Sequence, residues 1–162
     1  MIRFFLILFL SLLVPVSYAV VPRFFPGTST EELWGGVHKL PTRILYLISI
    51  GLAAVSYLIL LSFYYRRSDS DALFYAFLGF LFFSMLWMPL MYLSLENPSP
   101  GSKAAMVVTL ALVAAFSCWI LAVVQSDQPR WWESTAAAYL MLHSVFVDGV
   151  VFSVSYFYPA VL

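Results

Sequence analysis

The sequence predicts an all-α integral membrane protein, an up-down bundle of five transmembrane helices in a single domain over 1–162. Two observations carry this. Of the 162 residues 63% are apolar and only 10% charged, with a mean hydropathy of +0.94, whereas soluble domains are about half apolar and a quarter charged. The charges also divide the chain into five intervals that are uncharged or nearly so, at about 4–22, 44–65, 72–95, 104–126 and 134–158. About 20 apolar residues at roughly 1.5 Å rise each cross a hydrocarbon core. Lipid offers the backbone no hydrogen-bonding partner, so each interval should be a helix.

The first interval admits two readings. Met1-Ile2-Arg3, a Phe- and Leu-rich run and Ser17-Tyr18-Ala19 resemble a signal peptide that is cleaved after residue 19. The apolar run nevertheless continues through Val20-Val21, as a retained span would, with Pro15 kinking the helix or accommodated by its neighbours. A long loop, 23–43, follows. It holds Pro26-Gly27, a capping-box pattern from Thr28 to Glu32 that can open a short surface helix, and Gly35-Gly36 to end it. The later connections are short, which makes consecutive helices antiparallel neighbours. Basic residues divide evenly: Arg3, Arg66, Arg67 and Arg130 fall on one side, Arg23, Lys39, Arg43 and Lys103 on the other. The positive-inside rule therefore favours neither orientation. Tyr64-Tyr65 and Trp131-Trp132 stand at helix ends, where an aromatic belt belongs. Cys118 lies in an apolar run and reads as a buried packing residue.

Depth is more informative than sidedness. Trp87 lies roughly 12 Å below the membrane face that carries loop 23–43, and Asp148 roughly 13 Å below the same face, counting residues along each helix. Tyr18, Tyr46, Tyr92 and Tyr156 populate the same half of the bundle, and the loop with Trp34 would cover it. This is the layout of a lidded cavity. An acid within a spanning helix costs about 2.5–3.5 kcal/mol to insert, so Asp148 must face the bundle or water. Ser144, one turn before it, and Ser155, two turns after, extend a polar stripe. His143, five positions away, is expected to point elsewhere and to be packed. Asp148 has three readings: a neutral acid hydrogen-bonded for packing, a ligand contact, or a proton or ion relay. Trp119 and Ser84 lie at depth in the fourth and third spans, each as a packing residue or a ligand contact. Ala111-x3-Ala115 and Ala114-x3-Cys118 are small-residue patterns of the kind that drive helix packing or a homodimer.

Catalytic and cofactor patterns are missing from the sequence. It has no HExxH, no GxSxG, no phosphate-cradling glycine loop and no set of His and Cys for a metal cage. No basic patch fits nucleic acid. The expectation is a non-enzyme that holds no metal.

The third span contains Phe83-Ser84-Met85-Leu86-Trp87-Met88-Pro89-Leu90-Met91-Tyr92, with Trp119 in the fourth and Tyr139-Leu140 in the fifth. Together with the length, the five-helix plan and the long first loop, these residues resemble the TspO/MBR family, the tryptophan-rich sensory proteins and their mitochondrial translocator relatives. Ser84 stands where that family has Asn, Met88 where it has Ser or Thr, and Ala138 where it has Pro. The loop pattern is reduced to Lys39-Leu40-Pro41. The resemblance implies binding of a large apolar ligand, a porphyrin (a haem-type tetrapyrrole) or a sterol, between the helices and under loop 23–43, for transport or sensing. On that reading Trp34, Tyr46, Ser84, Trp87, Trp119, Ser144 and Asp148 line or cover the site. Two other functions fit the sequence: a structural or assembly subunit of a membrane complex, and a small proton-coupled carrier using Asp148.

Overall fold

A computed structural model describes residues 2–24, 40–67 and 69–153. Loop residues 25–39, with Trp34 and the capping-box pattern, lie outside the described residues, as do Ser155 and Tyr156. The described residues contain helices and turns and no strand. The helices are α1 (Ile2–Val20), α2 (Leu40–Arg66), α3 (Asp71–Glu96), α4 (Pro100–Ser126) and α5 (Trp131–Leu142), the last continuing as a π-helical segment, His143–Phe152. Five helices are long and apolar enough to cross a membrane, with α5 and its π segment counted as one. The chain is a multi-pass integral membrane protein.

Local chemistry sets the helix ends. Ser70 caps α3 by accepting from the Leu73 N–H at 3.3 Å. Ser99 and Ser102 cap α4 reciprocally: the Ser102 N–H donates to Ser99 Oγ at 3.0 Å, and the Ser99 N–H to Ser102 Oγ at 3.1 Å. Pro100 follows the cap at the first turn, where a missing N–H does no harm. At α5 the Arg130 N–H donates to Glu133 Oε2 at 2.9 Å. Ser11 and Ser17 give their protons to the carbonyls of Ile7 and Val14 within α1, which runs unbroken through Pro15.

Around the bundle α1 packs on α3, α3 on α4, α4 on α5 and its π segment, and α5 on α2. Although α2 and α3 are consecutive, they meet through large rings: Tyr57 and Tyr64 reach Phe77, and Tyr57 stacks on Phe80. Sequence proximity alone therefore overstates how closely this pair packs.

The two halves of the bundle differ. One half is a dense apolar core that includes Ile7, Leu60, Phe63, Tyr64, Phe77, Ile120 and Leu140. Its end is stitched by ion pairs between Arg3 and Asp71, between Arg66 and Glu133, and between Arg67 and Asp127 at 3.0 Å. The other half is built on Tyr46, Trp87, Met88, Met91, Tyr92, Met106, Leu110 and Phe152. Two sequence expectations change here. Tyr64 belongs to the core rather than to an interfacial belt, because it is fully buried against Phe77, while Tyr65, Trp131 and Trp132 remain exposed. Cys118 is exposed rather than buried, on the outer face of α4.

Candidate functional site

The π segment decides the geometry of the candidate site. At 3.6 residues per turn, two residues five apart lie about 140° from each other around the axis, which is why His143 and Asp148 are expected to diverge. A π-helix bonds each residue to the fifth one along and returns it to nearly the same side. In the structure His143 Nε2 stands 3.5 Å from Asp148 Oδ2, so the expectation that His143 points away is corrected. His143 is buried, and its Nδ1 is 2.8 Å from Ser49 Oγ. Ser49 Oγ in turn lies 3.1 Å from the Tyr139 hydroxyl. On the other side, the Tyr46 hydroxyl donates to Asp148 Oδ1 at 2.9 Å. Five side chains of α2, α5 and the π segment thus form one polar chain, Tyr46–Asp148–His143–Ser49–Tyr139, inside the membrane-spanning bundle.

Asp148 and Trp87 do converge. Both line a cavity of about 40 Å³ together with Tyr18, Tyr46, Ser84, Leu110 and Val113, so four helices and the π segment contribute to it. The Trp87 ring lies 5.7 Å from Tyr18 and 5.3 Å from Phe152, centroid to centroid. Its indole N–H is buried and has no hydrogen-bond partner among the described residues. Buried polar groups normally find one. Ser84 gives its proton to the Phe80 carbonyl at 2.7 Å, which leaves its oxygen as an acceptor toward the cavity. Tyr18 is the lining residue most open to the outside, at 45% exposure.

Of the residues expected in a site, Tyr46, Ser84, Trp87 and Asp148 come together. Trp119 does not. The inward stripe of α4 is Met106, Thr109, Leu110, Val113, Ser117, Ile120 and Val124, and Trp119 falls off that stripe, 42% exposed and stacked on Phe116 at 5.8 Å. Ser144 is buried but is not among the residues that line the cavity, since the π register puts His143 rather than Ser144 beside Asp148. Trp34 lies outside the described residues. The residues missed from sequence are His143, Ser49 and Tyr139. The first two were legible as polar groups within spans, but their meeting depends on a helical register that a 3.6-residue period does not show. No group of three or more potential metal ligands occurs among the described residues.

In comparisons with protein families, curated proteins and solved structures, the chain matches none.

Proposed function

We propose that the chain binds an apolar small molecule in the membrane, with the polar end of that molecule seated in the cavity between Tyr46, Trp87 and Asp148. The observation that carries the reading is the convergence of an acid and an indole, from separate spans, on one half-open cavity. The volume sets the terms. Pockets that hold whole drug-sized ligands are about 300–1,000 Å³, so a cavity of about 40 Å³ takes only an end group. The body of a porphyrin or sterol, the ligand class implied by the resemblance to the TspO/MBR family, has to lie beside Tyr18 or part the helices. Protoporphyrin added to the protein in nanodiscs is expected to quench tryptophan fluorescence, and Trp87→Phe to remove a distinct share of that quenching. Quenching that is absent, or identical in the variant, counts against the reading.

A second reading is favoured by the polar chain from Tyr46 to Tyr139: a small carrier that couples solute movement to a proton at Asp148. The chain stops at Tyr139, where the apolar core of Ala136, Ala137 and Leu140 begins, so a carrier would have to rearrange there. Asp148→Asn should then abolish uptake into proteoliposomes while the protein stays folded. Retained uptake excludes Asp148 as the coupling residue.

A further inference from the structure

The cavity's lining is chemically one-sided. Three of its residues are aromatic and come from three different helices: Tyr18 of α1, Tyr46 of α2 and Trp87 of α3. Phe152 backs two of them, at 5.3 Å from Trp87 and 6.4 Å from Tyr46. The one ionisable acid among the lining residues is Asp148. We infer that the polar end received here is a cation, an alkylammonium group, and that the ligand is an amphiphilic amine. This rests on the cavity being the ligand site and narrows what enters it, in place of the tetrapyrrole or sterol that the resemblance implies.

Three observations converge on a cation. Aromatic rings carry negative faces, and a set of them around one space attracts a positive group, most strongly where water is excluded. Among the described residues Asp148 Oδ1 accepts from Tyr46 at 2.9 Å, while the donor given to Oδ2, His143 Nε2, stands at 3.5 Å. Charge-assisted N–H···O bonds are about 2.7–2.9 Å long, so that oxygen has room for a closer donor. Size agrees as well. A cavity of about 40 Å³ exceeds the roughly 10–15 Å³ one water needs, enough for an ammonium nitrogen and its first carbons.

The alternatives fit less well. A carboxylate or phosphate end would meet like charge at Asp148. A hydroxyl end can donate to Asp148 and accept from the Trp87 indole N–H, but it gains little from the ring faces. An ammonium group answers both, and it brings a full positive charge to Asp148, whose nearest basic group, His143 Nε2, stands 3.5 Å away.

The test compares dodecylammonium, dodecanol and dodecanoate on the protein in nanodiscs, read as thermal unfolding by intrinsic fluorescence. A ligand that binds the folded state raises Tm by mass action. Dodecylammonium is expected to raise it by about 3 °C or more, and the two other probes to raise it less. The shift should vanish in Asp148→Asn and survive in Asp148→Glu, while Trp87→Leu should weaken apparent affinity by about tenfold. The unfolding transition of each variant shows directly that it is folded. An Asp148-dependent shift with dodecanol or dodecanoate as large as with the amine overturns the cationic assignment. So does an amine shift that is equal in wild type and Asp148→Asn, because it then arises in the bilayer. If protoporphyrin quenches through Trp87 while the amine fails, this inference alone falls; if both fail, the ligand site falls with it.

Discussion

Replacing Arg66 with methionine should destabilise the bundle by about 3–5 kcal/mol, the cost of stranding a buried charge. Its partner, the Glu133 side chain, is only 3% exposed, whereas Arg66 itself is 42% exposed. Glu133 has two duties. Oε2 accepts from the Arg130 N–H at 2.9 Å and caps α5, and Oε1 takes the Arg66 guanidinium. Without Arg66 the cap remains, but the carboxylate loses its countercharge in a site that water barely reaches. Glu133→Gln removes the charge and keeps a carbonyl for the cap, so it should cost only about 1 kcal/mol. The double variant should then be more stable than Arg66→Met alone. Arg3 and Asp71 provide the contrast, because their side chains are 44% and 70% exposed and an exposed pair contributes about 1 kcal/mol or less. Equilibrium unfolding in mixed micelles measures all four variants. Equal losses for Arg66→Met and Arg3→Met would show that burial of Glu133 is not what gives the first pair its weight.

The same contrast between burial and position explains what could be read from the sequence. The five spans were legible because lipid leaves the backbone no alternative to a helix, and the charges mark where lipid ends. The boundaries were less so. A reading that stops at the last charge begins the fourth span at 104, whereas α4 begins at Pro100, with Lys103 in its first turn under the Ser99–Ser102 cap. Depth was legible too, since rise per residue is nearly fixed, and it brought Trp87 and Asp148 to one level, with Tyr46 in the same half of the bundle. Sidedness was not. Trp119 lies within the fourth span yet off the inward stripe of α4, and in a helix as apolar as Pro100–Ser126 little beyond Thr109 and Ser117 distinguishes the protein face from the lipid face. The pairing of His143 with Asp148 was hidden more deeply, because it follows from a π register that the residues of 143–152 do not announce. Gly149 is the one local trace: a Cβ there would meet the Ser144 carbonyl at 3.2 Å.

Gly79, one small residue in the apolar run of α3, is where the largest packing effect is expected. A Cβ built at Gly79 would lie 2.2, 2.3 and 2.5 Å from three atoms of the Phe116 ring. The absent side chain is what lets α4 place a phenyl ring directly on the backbone of α3. Such close approach is how helices gain dispersion contact in lipid, where the hydrophobic effect between them is weak. Phe116 has little freedom to yield, as it is stacked on Phe83 at 5.7 Å and on Trp119 at 5.8 Å. Helix propensity and packing therefore predict opposite signs. Propensity favours alanine over glycine in a helix interior by about 1 kcal/mol, and overpacking costs about 1–3 kcal/mol, occasionally more. Packing should win at this position, so Gly79→Ala is expected to destabilise the protein and Gly79→Val to do so by about 3 kcal/mol or beyond. Phe116→Ala in the Gly79→Ala background should recover part of the loss by vacating the ring's place. Gly51 of α2 provides the control, because nothing lies within 4 Å of a Cβ built there. With no clash to oppose it, propensity alone acts, and Gly51→Ala should be neutral or stabilising by up to about 1 kcal/mol. Unfolding midpoints of the two alanine variants should move in opposite directions; movement in the same direction would show that α3 and α4 do not meet through the Phe116 ring.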